Sequence, residues 1–369
     1  MKQQPGKLGI REYVSIAILM VGSKGTEDTP NTIYSQVQNA AWMIPIVSAG
    51  LVFIPLFLLL KTMSLFQDKS GFSVIQNLFG KYIGFFVCLL LFGINSYAIS
   101  FDSRTYTNII RSLYFTTTPT LVIYAILMSV CAYGAKKGIQ HVGSVSYLIV
   151  YYVILSLIIA LLLGAQDSTL QSIFPIWGPG KFEILKQSTK STTIFADFFL
   201  FTMLIPYITS NKDFRKGTWI AFVSVTISLS ASMLLYISMF DVSLETIGYP
   251  FHTVIRYISL GSYLPNVEIF FFVIWIMGAF IRFSAFLYIN AMMFGHLFKI
   301  KDFEYLIPSL AVIYLMIGSI PETPLEVTLE FKRFMGNIGG LTFSAIAIIL
   351  WLTALLKGEF KHAKNKNSM

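Results

Sequence analysis

The chain is a succession of apolar runs, each near the length that crosses a bilayer, separated by short polar connections. About 20 residues of helix span the hydrocarbon core, and there every backbone polar group must be bonded within the protein. Runs of this length exclude an outer-membrane barrel, whose strands alternate over about 10 residues. Composition agrees: 12% of residues are charged and 55% hydrophobic, whereas a soluble domain carries about 25% charge. These features define an all-α integral membrane protein embedded in the lipid bilayer, a single domain over residues 1–369. Ten spans are predicted, at 9–30, 41–60, 82–112, 119–135, 142–164, 191–210, 217–240, 265–297, 305–320 and 334–356. The third and eighth are long enough to tilt or to project beyond the bilayer.

Basic residues set the expected orientation. Lys2, Lys7 and Arg11 lie at the N-terminus, up to the start of the first span, and Lys61, Lys69, Lys81, Lys136, Lys137, Lys212, Arg215, Lys216, Lys299 and Lys301 lie in or beside alternate connections. With the C-terminal tail they make up most of the 27 lysines and arginines, so the positive-inside rule places both termini in the cytoplasm. The same distribution accounts for the net charge of +9 without a nucleic-acid partner. Cys88 and Cys131 lie in apolar runs and suit packing better than a disulfide. His141, His252, His296 and His362 are too scattered for a metal site. The sequence has no G-x-x-x-x-G-K-S/T loop, and neither a cofactor nor an enzymatic activity is expected. The first run lacks a signal peptide's cleavage pattern and is expected to stay in the mature chain. Gln166–Lys190 reads as an ordered interfacial cap and Ser243–Leu264 as a short helix over the outer face, or both as connections only.

The first span interrupts itself. After the apolar run Tyr13 to Val21 come Gly22-Ser23-Lys24-Gly25-Thr26-Glu27-Asp28-Thr29-Pro30. A charge at membrane depth costs about 2.5–3.5 kcal/mol on insertion scales, so such residues face protein or a polar cavity. Ten spans divide into five plus five, about 8–164 and 191–357, and an odd number in each half inverts the second half. The sixth span, which opens the second half, carries Asp197 in Phe195-Ala196-Asp197-Phe198-Phe199 and then Pro206. Paired interruptions at corresponding positions point to a midplane binding site, because broken helices turn free N–H and C=O groups toward one cavity. A zwitterion such as an amino acid suits that arrangement.

Side chains near the breaks are the candidate ligand contacts: Gly22, Ser23, Lys24 and Gly25 in the first, and Phe195, Asp197 and Phe198 in the second. Lys24 has several readings: a stand-in for a coupling cation, a proton carrier, or the partner of Asp28 (one helical turn on) or of Asp197. Arg282, Ser284 and Tyr288 lie on the eighth span, and Tyr97 and Ser100 on the third. Arg282 stays charged and acts as ligand anchor, gate tether or helix tie. Glu27, Asp28, Asp102 and Arg104 form a candidate gating or charge network. Asp102 and Arg104 are two residues apart and do not share a face, so each is expected to meet another helix or the outer vestibule.

In their order, these motifs resemble the spore-germination permeases, the B-type subunits of nutrient germinant receptors, within the amino acid–polyamine–organocation superfamily. The resemblance rests on Val21-Gly22-Ser23-Lys24-Gly25, Ala41-Trp42, Ser100-Phe101-Asp102-Ser103-Arg104, Ala196-Asp197 through Leu204-Ile205-Pro206, and Gly278-Ala279-Phe280-Ile281-Arg282-Phe283-Ser284. It implies a LeuT-type fold with spans one and six broken, and a small nutrient ligand, commonly an amino acid. It also implies an A-type membrane subunit and a C-type lipoprotein as partners, and the inner membrane of the spore as location. Lys24, Glu27 and Asp28 depart from the family's largely apolar pattern there, Ala196 stands in place of a glycine, and Arg282 in place of a lysine. The function it implies is a germinant sensor; the competing functions are a proton- or sodium-coupled amino-acid transporter and a membrane scaffold for the other subunits.

Overall fold

The computed structural model describes residues 7–66, 69–257 and 267–361. Lys2, Lys364, Lys366, His362 and the last part of the 243–264 segment lie outside them.

The first span starts as α1 (Ile10–Gly22), loosens into a 3-10 turn at Ser23–Thr26 and resumes as α2 (Thr29–Val37). Pro30 sits in the first turn of α2, where a missing N–H costs nothing. A 3-10 segment, Gln38–Met43, turns the chain into α3 (Ile44–Met63), the second span. A short amphipathic helix, α4 (Gly71–Phe79), follows with Ser70 as its N-cap, and then α5 (Lys81–Leu113), the third span. α6 (Thr120–Lys136) and α7 (Ile139–Gly164) complete the first half. The second half begins with α8 (Lys181–Ser191), a 3-10 turn, the single turn α9 (Asp197–Leu200) and a 3-10 stretch, Phe201–Tyr207. α10 (Asn211–Phe240) is the seventh span, and α11 (Pro250–Tyr257) is a short helix after it. α12 (Val267–Phe298) and α13 (Ile307–Gly318) are the eighth and ninth. The last runs from α14 (Pro324–Glu326) through a π-helical turn, Val327–Lys332, into α15 (Arg333–Leu356).

Six of these helices are long and apolar enough to cross a membrane, with shorter apolar helices at Thr120–Lys136 and Phe303–Gly318. The fold is the expected broken-helix bundle, with corrections to four spans: the seventh begins at Asn211 rather than at 217, the tenth at Pro324 rather than at 334, and the first and sixth are longer as well. The first span runs to Val37 rather than to 30, and the sixth begins at Lys181 rather than at 191. Both additions (TPNTIYSQV and KFEILKQSTKS) are polar and line the central cavity, so hydropathy misses them. The segment read as a cap through Lys190 therefore ends near Gly180. Its earlier part does cap α2 and the turn beyond it, with Asn39 Nδ2 donating to Phe174 O at 3.1 Å and Gly178 seated against Val37 O.

The two halves run in opposite senses. Leu8 N donates to Tyr207 O at 2.6 Å and Thr209 N to Leu8 O at 3.0 Å, so the sixth span ends where the first begins. Just inside that face, Tyr13 hydrogen-bonds Thr218 at 2.7 Å and packs edge-on to Phe201, closing the bundle there. Cys88 and Cys131 are buried free thiols.

α15 presses directly on the second break. A Cβ at Gly340 would stand 2.4 Å from Thr193 N and 2.7 Å from Thr192 C, both backbone atoms that cannot turn aside. Gly340→Ala is therefore expected to destabilise the protein by about 1–3 kcal/mol, read as a lower thermal midpoint in detergent. Gly50→Ala, which meets nothing within 4 Å, should melt like the parent; equal midpoints for both variants would show that α15 does not brace the break.

Candidate functional site: a charged cavity between the two broken helices

At the first break the backbone leaves α geometry after Gly22 and is extended at Glu27 (φ −101°, ψ −150°). Carbonyls that would close the next helical turn find side-chain donors instead. Ser23 O accepts from Tyr106 Oη at 3.2 Å, and Gly25 O from Tyr236 Oη at 3.0 Å. At the second break Ile194 O accepts from Lys24 Nζ at 2.9 Å.

Lys24 Nζ also lies 2.8 Å from Asp197 Oδ2, with both side chains nearly buried. Of its candidate partners Lys24 thus takes Asp197, and one ammonium joins the two interruptions. Asp28 is not its partner, despite the one-turn spacing, because the helix is unwound between them. Asp28 turns instead to the last span, accepting from Thr328 Oγ1 at 2.5 Å and from Lys332 Nζ. Lys332 Nζ also lies 3.1 Å from Glu27 Oε2. Arg282 is fully buried, with Nη2 at 2.6 Å from Asp102 Oδ2 and Nη1 donating to Ser23 Oγ at 2.8 Å. It is a helix tie that reaches the first break and the third span together.

Four carboxylates and three cations thus meet around the breaks. All but Arg282 border a cavity of about 350 Å³ that lies among α2, the C-terminal end of α8 and the N-terminal part of α15 and reaches Lys24 and Asp197. Glu27, Asp28, Asp102, Lys24, Asp197 and Lys332 line it. A volume of this size suits a small molecule, and the paired signs suit a zwitterion.

Other candidates lie elsewhere. Gly22 and Gly25 turn their Cα faces toward α10, where a Cβ would meet Val225 at 3.9 Å and Leu229 at 2.8 Å. They let α1 approach α10 and do not line the cavity. Phe195 and Phe198 pack on Phe222, with centroids 5.0 and 5.5 Å away, behind the break. Ser284 donates to Cys131 O at 3.1 Å, and Tyr288 sits beside Tyr207 and Phe303 near the closed face. Both follow from helix geometry: at about 100° per residue, Ser284 lies about 200° round α12 from Arg282. Ser100 bonds back to Ser96 O, Tyr97 donates to Phe331 O behind the cavity wall, and Arg104 points outward to Pro321 O. Asp102 and Arg104 do face different helices, and only Asp102 joins the charge network.

Sequence reasoning missed Lys332, Thr328, Tyr106, Tyr236 and Trp275. Lys332 resembles any connection lysine, and the tyrosines resemble any aromatic of a membrane helix. Trp275 Nε1 donates to Thr26 Oγ1 at 2.9 Å, and its ring stacks on Tyr106 with centroids 5.0 Å apart. Over Trp275 lies His252 of α11, its ring 4.7 Å away and its Nδ1 3.0 Å from Tyr114 Oη.

The arrangement is that of a LeuT-type transporter fold. The structure of MhsT in complex with L-phenylalanine superposes with a TM-score of 0.68 at 16% identity, covering 95% of this chain and 90% of that one. The inward-facing conformation of Mhp1 gives 0.62 at 15% identity, covering 96% and 78%. Within that fold class, the sequence profile of the spore germination protein family matches residues 9–327, and the chain belongs to that family. Spore germination protein KB of Bacillus subtilis (strain 168) is 23% identical over 305 residues, 81% of each chain. Spore germination protein A2 of the same organism is 24% identical over 301 residues, 79% of this chain and 80% of that one.

Removing one partner of a buried ion pair leaves an uncompensated charge and costs about 3–5 kcal/mol. Lys24→Met and Asp197→Leu should each lower stability by that order, whereas the double variant should recover much of the loss. Additive losses in thermal unfolding would show that the two groups do not interact.

Burial pushes the His252 imidazole down to about 3, aided by the Arg256 charge one turn away. A base with a depressed pKa favours the fold while neutral, so its contribution is complete above the unfolded value near 6.5 and fades as pH falls toward 3. Between pH 6.5 and 5, before most carboxylates titrate, the thermal midpoint should fall more in the parent than in His252→Gln. Parallel profiles would remove His252 as the cause.

Proposed function

We propose that this chain is the nutrient-sensing membrane subunit of a spore germinant receptor. A small nutrient, an amino acid in the first instance, binds in the cavity between the broken helices and shifts the bundle between two conformations. The observation that carries this reading is the charged cavity itself, bridged by Lys24 and Asp197, in a chain of the spore germination protein family. A ligand drives such a shift only through its different affinities for the two states. A cavity floored by the contact between two half-helices supplies that difference, because a ligand pressing on Lys24 or Asp197 presses on both halves. The signal passes to an A-type membrane subunit and a C-type lipoprotein in the inner spore membrane, with both termini of this chain cytoplasmic. Its action is binding and conformational change rather than enzymatic turnover.

The second reading is an ion-coupled amino-acid transporter. It is favoured by the fold shared with MhsT bound to L-phenylalanine and with Mhp1, described as a nucleobase-cation-symport-1 family transporter. The Lys24 ammonium between the breaks would then stand in for a coupling cation.

Spores carrying Asp197→Asn, at unchanged protein level, should need at least about tenfold more nutrient to germinate, a change worth about 1.4 kcal/mol. Their response to a trigger that bypasses nutrient receptors should be normal, and Lys181→Met, whose ammonium lies over the Trp177 ring, should respond like the parent. A normal nutrient response in Asp197→Asn would sink the sensing site. Gradient-driven uptake by the purified chain in liposomes would favour the transporter over the sensor.

A further inference from the structure

Lys332 enters the cavity from the π-helical turn Val327–Lys332, an irregularity of the kind that often marks a functional position. Its ammonium is seated between two adjacent carboxylates, those of Glu27 and Asp28. The seat is under-filled. Glu27 is 2% exposed, and its Oε1 accepts only from Thr29 Oγ1 at 3.2 Å. Its Oε2 accepts no hydrogen bond, because Lys332 Nζ, though 3.1 Å away, lies off the bonding direction. Two buried carboxylates therefore share one cation, and an oxygen on the cavity wall still lacks a donor.

Lysine is also the side chain most easily exchanged for a free ligand at such a seat. It presents a single ammonium on a flexible stem, with none of the forked geometry that holds arginine to a carboxylate. The same ammonium is the head group of any protonated primary amine.

We infer that Glu27 and Asp28 form an ammonium subsite held by Lys332 as a tethered occupant, and that the molecule this cavity takes carries a primary amine that displaces it. This rests on the cavity being the nutrient site. It adds a consequence for signalling, because an amine that ejects Lys332 also unties the π turn of the last span from the first break. The tether competes with the ligand through its high effective concentration, so it lowers amine affinity and sets the threshold of the response.

The test uses the purified full chain in detergent, with methylammonium as probe and tetramethylammonium, which has no N–H, as control at equal ionic strength. Lys332→Ala should melt below the parent, and methylammonium, but not tetramethylammonium, should restore its midpoint. Adding Glu27→Gln and Asp28→Asn should abolish the rescue. If Lys332→Ala does not fold unaided, purification in methylammonium should recover it. Equal effects of the two salts, rescue that survives loss of both carboxylates, or no recovery by methylammonium would each overturn the subsite. The readout does not depend on germination: spores that ignore nutrient while rescue persists would remove the sensing reading and leave the subsite standing.

Discussion

Everything at the centre of this bundle depends on the contact of Lys24 with Asp197 and Ile194 O. Lys24 belongs to the first half of the chain and Asp197 and Ile194 to the second, and each sits where a helix has come apart. Either charge alone would be expensive at that depth. Together they convert two separate costs into one tie, and that tie fixes the relative position of the inverted halves. The other charges repeat the solution, with Arg282 joining the third and eighth spans to Ser23, and Lys332 joining the last span to α2.

The ties differ in rigidity, and the difference suits a sensor. Arg282 is fully buried and surrounded by Tyr106, Phe283 and Phe286, so it serves as a fixed post. Lys24 and Lys332 are single ammonium groups on flexible stems at the cavity wall. Beside them, the stack of His252, Trp275 and Tyr106 connects the short helix α11 to the unwound residues Ser23 and Thr26. A shift at the break therefore has a packed route to α11.

Legibility followed chemistry that is local in the chain. Most of the long apolar spans lie within a few residues of their expected bounds, although the seventh and tenth begin earlier at polar residues, and the glycines, the proline and the charges mark both breaks. The half-helices α2 and α8 carry no span signal in the sequence because they face the polar cavity, which removes the hydropathy that marks a span. Tyr288, Ser284, Phe195 and Phe198 were drawn in by closeness in sequence to charged residues. Helical rotation carries each of them to another face.

The sequence by itself determined an all-helical membrane bundle, two interrupted spans in matching places, membership of the spore germination protein family, and the charges that must find partners. Only the tertiary structure decided which charges pair. Lys24 had Asp28 one turn away and Asp197 in the other half of the chain, and unwinding of the helix between Lys24 and Asp28 settled the choice. The place left at Asp28 was filled by Lys332, roughly three hundred residues on in the chain, from a segment that local patterning marks only as a connection. Pairing of buried charges is a property of how helices cross, and no periodicity along one helix encodes it.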